Sequence, residues 1–457
     1  MNKKIILTKL LGLFLFFPVF LSFELKAEEV NLTDIKKVAL NAFSQYSGKS
    51  QSELQIVQII PIMHHDTTFF YIFNFDPGFI MVAADDVSVP IIGYDLENTI
   101  DINDLPPAVS YLFDGYKEEI GIAKRMRPET SPEIQRQWDD LLNRERGGDD
   151  EESISKGLPA PTTPIYTPGT WLIGTKWNQS GGNTTAGGIT FNEYCPTING
   201  TKTLVGCGGV AFAQILNYYS CHVAPQGTIS YNPPTGAINI NLSNVSYDWN
   251  NMTQYYANAH NAQLLYHSAA AIKSNFGVNN TESNIINVQP AFSGNFGFSL
   301  SLRYERVGFN DSTWNSNLKK EINRRDPVYY RGTNSNKTQT HSWLVDGYNN
   351  SDQFHCNWGW GGSCDGFYTL TNLTNIDGNN FNHNQIAILF NSPLKAPMSF
   401  YNYTFPCSTA NYYSFRLIDC QVAPNVALGV FLEMQCTTEI LGTFEVPLGS
   451  VFEVRIP

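Results

Sequence analysis

Apolar residues in this chain recur at two spacings, and each change of period marks a change of element. Ile35, Val38, Ala39 and Phe43 follow Thr33 and Asp34 at helical spacing, which predicts a helix capped by that pair. Residues 69–75 and 79–84 are two apolar, aromatic-rich runs separated by Asp76-Pro77-Gly78, the pattern of a β-hairpin. After Pro106-Pro107, the spacing of Val109, Leu112, Tyr116 and Ile120 predicts a second helix. Ser131-Pro132 can start a third, burying Ile134, Trp138, Leu141 and Leu142. Residues 28–150 therefore read as a small α+β unit. From 169 to 394 helical patterns come first and aromatic, strand-rich runs later. From 395 to 457 the pattern is strand-like, most clearly at 430–434, 439–441 and 443–456. The whole is an α+β chain.

Between the first two blocks the composition shifts. A charged run over 144–153 is followed by Pro159, Pro161, Pro164 and Pro168. Residues 151–168 thus read as an exposed linker, either a plain tether or a segment cut on activation. At the start, Lys3 and Lys4 precede an apolar stretch that ends before Leu25-Lys26-Ala27, so residues 1–27 read as a signal peptide and predict export. No later apolar run is long enough to span a bilayer. With 29 Lys+Arg against 41 Asp+Glu the net charge is −12, which leaves no electrostatic footprint for nucleic acid. The 8 cysteines are dispersed, and none has the C-x-x-C spacing of a zinc site. Neither a metal nor an organic cofactor is called for.

The most informative stretch is Leu204-Val205-Gly206-Cys207-Gly208-Gly209-Val210, which runs into a helical pattern carrying Ala211, Ile215 and Tyr218. Cys207 then lies at a helix N-terminus, where unpaired N–H groups and the helix dipole favour thiolate over thiol. Gly208 and Gly209 would clear space for a substrate carbonyl beside the sulfur. A buried structural cysteine in a glycine-rich helix contact would show the same local pattern.

A thiolate nucleophile needs a base. His341 opens an apolar run, Ser342-Trp343-Leu344-Val345, with the character of a buried strand, and it follows Cys207 by 134 residues. Asn357 follows Cys207 by 150 residues. In papain-like enzymes the His and Asn lie about 130–150 residues after the Cys. That logic makes His341 the proton acceptor and Asn357 a candidate to orient its ring. Trp358 and Trp360, set between glycines, can shield such a pair from water or simply pack in the core.

Gly206-Cys207 with Ala213-Gln214-Ile215, taken with His341-x-x-x-Val345-Asp346-Gly347 and Asn357-Trp358-Gly359-Trp360-Gly361-Gly362, resembles the streptopain family of secreted bacterial cysteine peptidases. The likeness covers roughly residues 170–393. Residues 69–95 look more weakly like that family's propeptide. The resemblance implies a papain-like two-lobed catalytic domain at 169–394, an inhibitory propeptide at 28–150 and a short C-terminal β extension at 395–457. It implies Cys207 as nucleophile, His341 as base, and Gln179, in Trp177-Asn178-Gln179, as an amide donor to the oxyanion. Where the family has Val-Ala-Thr-Ala after the nucleophile, this chain has Gly208-Gly209-Val210-Ala211. Where the family commonly has a substrate-contacting Gly before the histidine, it has Thr340. Gly208 and Thr340 are therefore candidate substrate-binding positions.

The function so implied is a secreted cysteine endopeptidase made as a zymogen. It would cut protein or peptide substrates, with preference for a bulky apolar residue two positions before the scissile bond, and its own propeptide would inhibit it. Two other readings fit the same residues: a silent binding or adhesion protein on this fold, and an amide-transferring enzyme in which an amine resolves the acyl-enzyme.

Overall fold

The computed structural model describes residues 29–126, 131–143, 167–182, 188–219, 225–298, 301–333, 339–371, 373–374 and 384–390, and the backbone of five strands between 400 and 439. Residues 1–27, 144–166 and 443–456 lie outside the described residues, and with them the signal segment, most of the linker and the last strand run.

The N-terminal half opens with α1 (Leu32–Ser47), which buries Ile35, Val38, Ala39 and Phe43 as their spacing predicts. Its cap is Asn31 rather than Thr33 or Asp34: the Asn31 side chain accepts from the Asp34 N–H at 3.0 Å. An extended residue with a short side-chain acceptor, one step before the first turn, can reach that orphan donor. Four antiparallel strands follow: β1 (Ile56–His64), β2 (Thr67–Phe75), β3 (Phe79–Ala83) and β4 (Ile91–Asp95). The hairpin expected at 69–84 is β2–β3. β1, which no clear alternation announced, is an edge strand and carries Pro61, a residue that edges tolerate. Then come α2 (Pro107–Met126) and α3 (Pro132–Asn143), the latter capped by Ser131.

The second half begins with the short strands β5 (Thr170–Trp171), β6 (Thr197–Ile198) and β7 (Thr201–Lys202) and the helix α4 (Gly206–Tyr218). Beyond these lie β8 (Thr228–Tyr231), β9 (Ile238–Asn241), α5 (Ala259–Ala271), α6 (Val288–Asn295), β10 (Ser301–Glu305) and α7 (Asp311–Asn323). The remaining strands are β11 (Val328–Thr333), β12 (Thr340–Tyr348), β13 (Phe354–Asn357), β14 (Gly366–Tyr368) and β15 (Ile386–Phe390).

The two halves share one sheet, in the order β1-β2-β3-β4-β14-β13-β12-β11-β15-β10, with β5 against β12. The seam is the β4–β14 ladder, which pairs Tyr94 with Phe367 and Gly93 with Tyr368. Gly93 is required there, because a Cβ would sit 2.8 Å from the Phe367 carbonyl oxygen. What reads in sequence as a separate α+β unit is thus hydrogen-bonded into the sheet of the second half.

Strand β12 separates two cores by its alternation. Trp343 and Val345 enter the core that also holds Phe70, Phe113 and Ile120 from the N-terminal half. Leu344 enters the other, built by α4, α5 and α6 through Phe212, Leu264 and Phe292. Each such side chain, fully buried, contributes about 1.5–3 kcal/mol. Near the C-terminus, β16 (Phe400–Phe405), β18 (Cys420–Val426) and β20 (Thr438–Glu439) pair in parallel, as do β17 (Asn411–Phe415) and β19 (Val430–Met434). The strand run expected at 430–434 is β19.

Candidate active site

Cys207 is the second residue of α4, and the helix starts at Gly206, earlier than the apolar run from Val210 marks it. The glycines around it have a packing reason. A Cβ at Gly208 would lie 2.5 Å from Ser283 Oγ and 3.1 Å from the Tyr329 hydroxyl, and one at Gly209 would lie 2.8 Å from Ala269 Cβ. A side chain at either position would collide with these neighbours, so packing accounts for both glycines. Both let α4 settle against α5 and β11 with the sulfur half-buried at the helix start.

His341 is the second residue of β12 and is 4% exposed. The Cys207 thiol is hydrogen-bonded to its imidazole and takes further hydrogen bonds from the backbone N–H groups of Ser342 and Gly208. Burial pushes this thiol up, but the neighbouring imidazole and those donors outweigh it and leave the group below the ordinary range. Three other cysteines go the opposite way. Burial pushes Cys195 and Cys364 up to about 12, and Cys356 well above the usual value. All four are free thiols. Among them only Cys207 is lowered by an imidazole.

The far ring nitrogen of His341, Nε2, lies 3.4 Å from the Trp358 carbonyl oxygen. Asn357, the expected orienter, is not that partner. Its Nδ2 donates to the Thr175 carbonyl at 2.8 Å, and its Oδ1 accepts from Gln214 Nε2 at 3.0 Å and from the Gly359 N–H at 3.2 Å. The sequence offset between Cys and Asn leads to a residue beside the site that does not itself touch the ring, because the carbonyl that faces the ring belongs to the next residue, past the end of β13.

Gln179 is half-buried, with its backbone N–H donating to the Gly359 carbonyl at 2.9 Å and its Oε1 buried without a hydrogen-bond partner among the described residues. Trp360 is half-buried, and its backbone bridges to Asn178. Trp358 is the fully buried one of the pair, its ring 5.1 Å from that of Trp343 and its indole N–H donating to the Cys364 carbonyl. Thr340 is exposed at the start of β12 and pairs with Thr333.

Helix α2 of the N-terminal half lies over this region. Its Tyr111 and Leu112 line a cavity together with Gly332, Thr333, His341 and Trp343. Tyr111 is close enough to feel the Cys207 charge, which adds to burial and Asp114 in raising its phenol. The helix is pinned nearby: the Tyr116 hydroxyl donates to the Thr369 carbonyl at 2.7 Å, and the buried Glu119 carboxylate accepts from Leu373 N–H, Thr374 N–H and the Thr374 hydroxyl. Sequence pattern marked Tyr116 as a core residue and left Tyr111 and Glu119 unremarked, since the groups they meet in the second half lie far along the chain.

A low-pKa thiol beside an imidazole, at the junction of a helix and a sheet and roofed by an N-terminal domain, is the arrangement of a cysteine peptidase with its propeptide in place. Comparison with known proteins agrees. Residues 186–368 match the Peptidase C10 family, and residues 27–120 match the Spi protease inhibitor. Streptopain of Streptococcus pyogenes serotype M1 is 24% identical over 409 residues, which is 82% of this chain and 94% of that protein. The thiol protease/hemagglutinin of Porphyromonas gingivalis is 24% identical over 369 residues, 77% of this chain and 40% of its own length. The structure of a prointerpain A fragment from Prevotella intermedia superposes with a TM-score of 0.55 at 21% identity, covering 74% of this chain and 99% of that one. The chain therefore carries a Peptidase C10 domain behind a Spi inhibitor domain, the make-up of a streptopain-like cysteine peptidase with its propeptide, and it shares its fold with prointerpain A.

Proposed function

We propose that this protein is an exported cysteine endopeptidase made as a zymogen, with Cys207 as nucleophile and His341 as its proton partner. In this reading residues 1–27 direct export and 28–150 form the propeptide. Cleavage within 151–168 releases the enzyme of 169–394, with 395–457 as an appended β unit.

The chemistry follows from the two groups. The Cys207 thiolate attacks the scissile carbonyl carbon, and in this reading the resulting oxyanion is held by N–H donors at the start of α4 and by the Gln179 amide. Collapse breaks the C–N bond while the His341 imidazolium gives its proton to the departing amine. Water then attacks the thioester, His341 takes its proton, and the acid product leaves with the thiolate restored. The observation that carries the reading is the Cys207–His341 contact, since it lowers one thiol where burial raises Cys195, Cys356 and Cys364.

The test is the full-length Cys207→Ala chain. It should neither process itself nor cleave casein, and a peptidyl thiol reagent should label the activated parent once per chain, at Cys207. Casein cleavage by the purified variant would refute the assignment.

A further inference from the structure

Gln214 lies on α4 seven residues after Cys207 and is 0% exposed. A primary amide in such a place is costly unless its polar atoms are satisfied. Here its Oε1 accepts from the Thr175 hydroxyl at 2.8 Å and from the Trp177 N–H at 3.4 Å, while its Nε2 donates to Asn357 Oδ1 at 3.0 Å. Asn357, 2% exposed, passes the connection on. Its Oδ1 also takes the Gly359 N–H, its Nδ2 grips the Thr175 carbonyl, and the Gly359 carbonyl receives the Gln179 N–H. Between Asn357 and Gly359 stands Trp358, whose N–H is held by Asp365 and whose carbonyl faces His341 Nε2.

Three chain segments therefore meet at two buried side-chain amides: the helix that carries the sulfur, the turn whose carbonyl faces the imidazole, and the 175–179 segment that carries Gln179. We propose that Gln214 and Asn357 act as a pair of positioning residues that sets the His341 ring against Cys207. Asn357 acts through the Trp358 carbonyl rather than by touching the ring. With that carbonyl accepting from Nε2–H, the other ring nitrogen, Nδ1, is left as the basic atom toward the sulfur. The pair rests on the catalytic assignment above and adds to it a residue, Gln214, that touches neither sulfur nor imidazole.

The test uses Gln214→Met, Asn357→Leu, the double variant and Thr175→Val, each activated from its full-length chain. Two quantities are read: kcat and KM on a peptide substrate, and the pH dependence of Cys207 alkylation by iodoacetamide. The proposal expects kcat to fall about 10- to 100-fold with KM changed far less, as for a misplaced reacting group. The alkylation midpoint should move to higher pH. The double variant should lose no more than either single one, because one connection is broken in all three. Thr175→Val keeps the Gln214–Asn357 bond and removes only a hydroxyl at its edge. It should fold even if the larger changes do not, and should show a smaller shift of the same sign. Lower melting temperatures with an unmoved alkylation profile and unchanged kcat would reduce the pair to packing and overturn the proposal, as would an unmoved profile in Thr175→Val if that variant alone folds. Cys207→Ala separates the two levels: its retained activity would sink the catalytic reading, whereas an inactive Cys207→Ala beside unperturbed amide variants would sink only the pair.

Discussion

Glu119 makes the seating of the propeptide depend on pH. The residue is 3% exposed on α2, and its Oε1 accepts from the Leu373 N–H at 2.5 Å, the Thr374 N–H at 3.0 Å and the Thr374 hydroxyl at 3.1 Å. Burial pushes the carboxyl from its ordinary 4.5 up to about 7, and the three donors oppose that shift without cancelling it. Once α2 lifts away, the carboxyl is in water and returns to its ordinary value. Between the two values the seated form holds more protons than the released form, so seating is strongest below 4.5 and weakens as pH rises to about 7. At about 1.36 kcal/mol per pH unit the whole window amounts to about 3 kcal/mol, or on the order of a hundredfold in the opening equilibrium. Glu119→Gln keeps the shape and an acceptor oxygen but cannot ionise, so its opening should be flat with pH. The assay is hydrogen exchange of the α2 amides in the full-length Cys207→Ala chain at pH 5 and pH 8, corrected for intrinsic exchange. Equal opening free energies at the two pH values, or a slope that survives in Glu119→Gln, would refute the reasoning.

Two further outcomes follow from the site. His341→Gln removes both the charge and the hydrogen bond that hold the Cys207 thiolate, leaving burial to act alone; iodoacetamide titration of the activated variant should place its alkylation midpoint at higher pH than in the parent. Gly208→Ala forces a methyl against Ser283 Oγ and Tyr329 and should cost about 1–3 kcal/mol of stability, measured as a lower denaturation midpoint. An unchanged midpoint would mean that α4 is not seated as closely as the structure has it.

Much of the first half was legible because its signals are local. Helical spacing and turn residues located α1, α2, α3 and the β2–β3 hairpin, while the α1 cap, the edge strand β1 and the seam strand β4 needed the structure. Glycine next to a nucleophile has two explanations in sequence, access and packing, and the packing one rests on Ser283 and Tyr329, which only the tertiary structure brings beside Gly208. Asn357 was found by its distance along the chain, yet its hydrogen bonds run to Gln214 and Thr175.

By itself the amino-acid order determined the kind of chemistry, because a cysteine between glycines at a helix start and a histidine opening an apolar strand carry their reactivity in residue type and local backbone. The joining of the propeptide to the enzyme through β4 and β14, the lowering of one thiol among four, and the convergence of Gln214, Asn357 and Trp358 behind His341 were decided by tertiary structure alone. Each depends on groups brought together from distant parts of the chain, and the strength of a charge or hydrogen bond is set by how near and how dry its partner is, which local spacing does not encode.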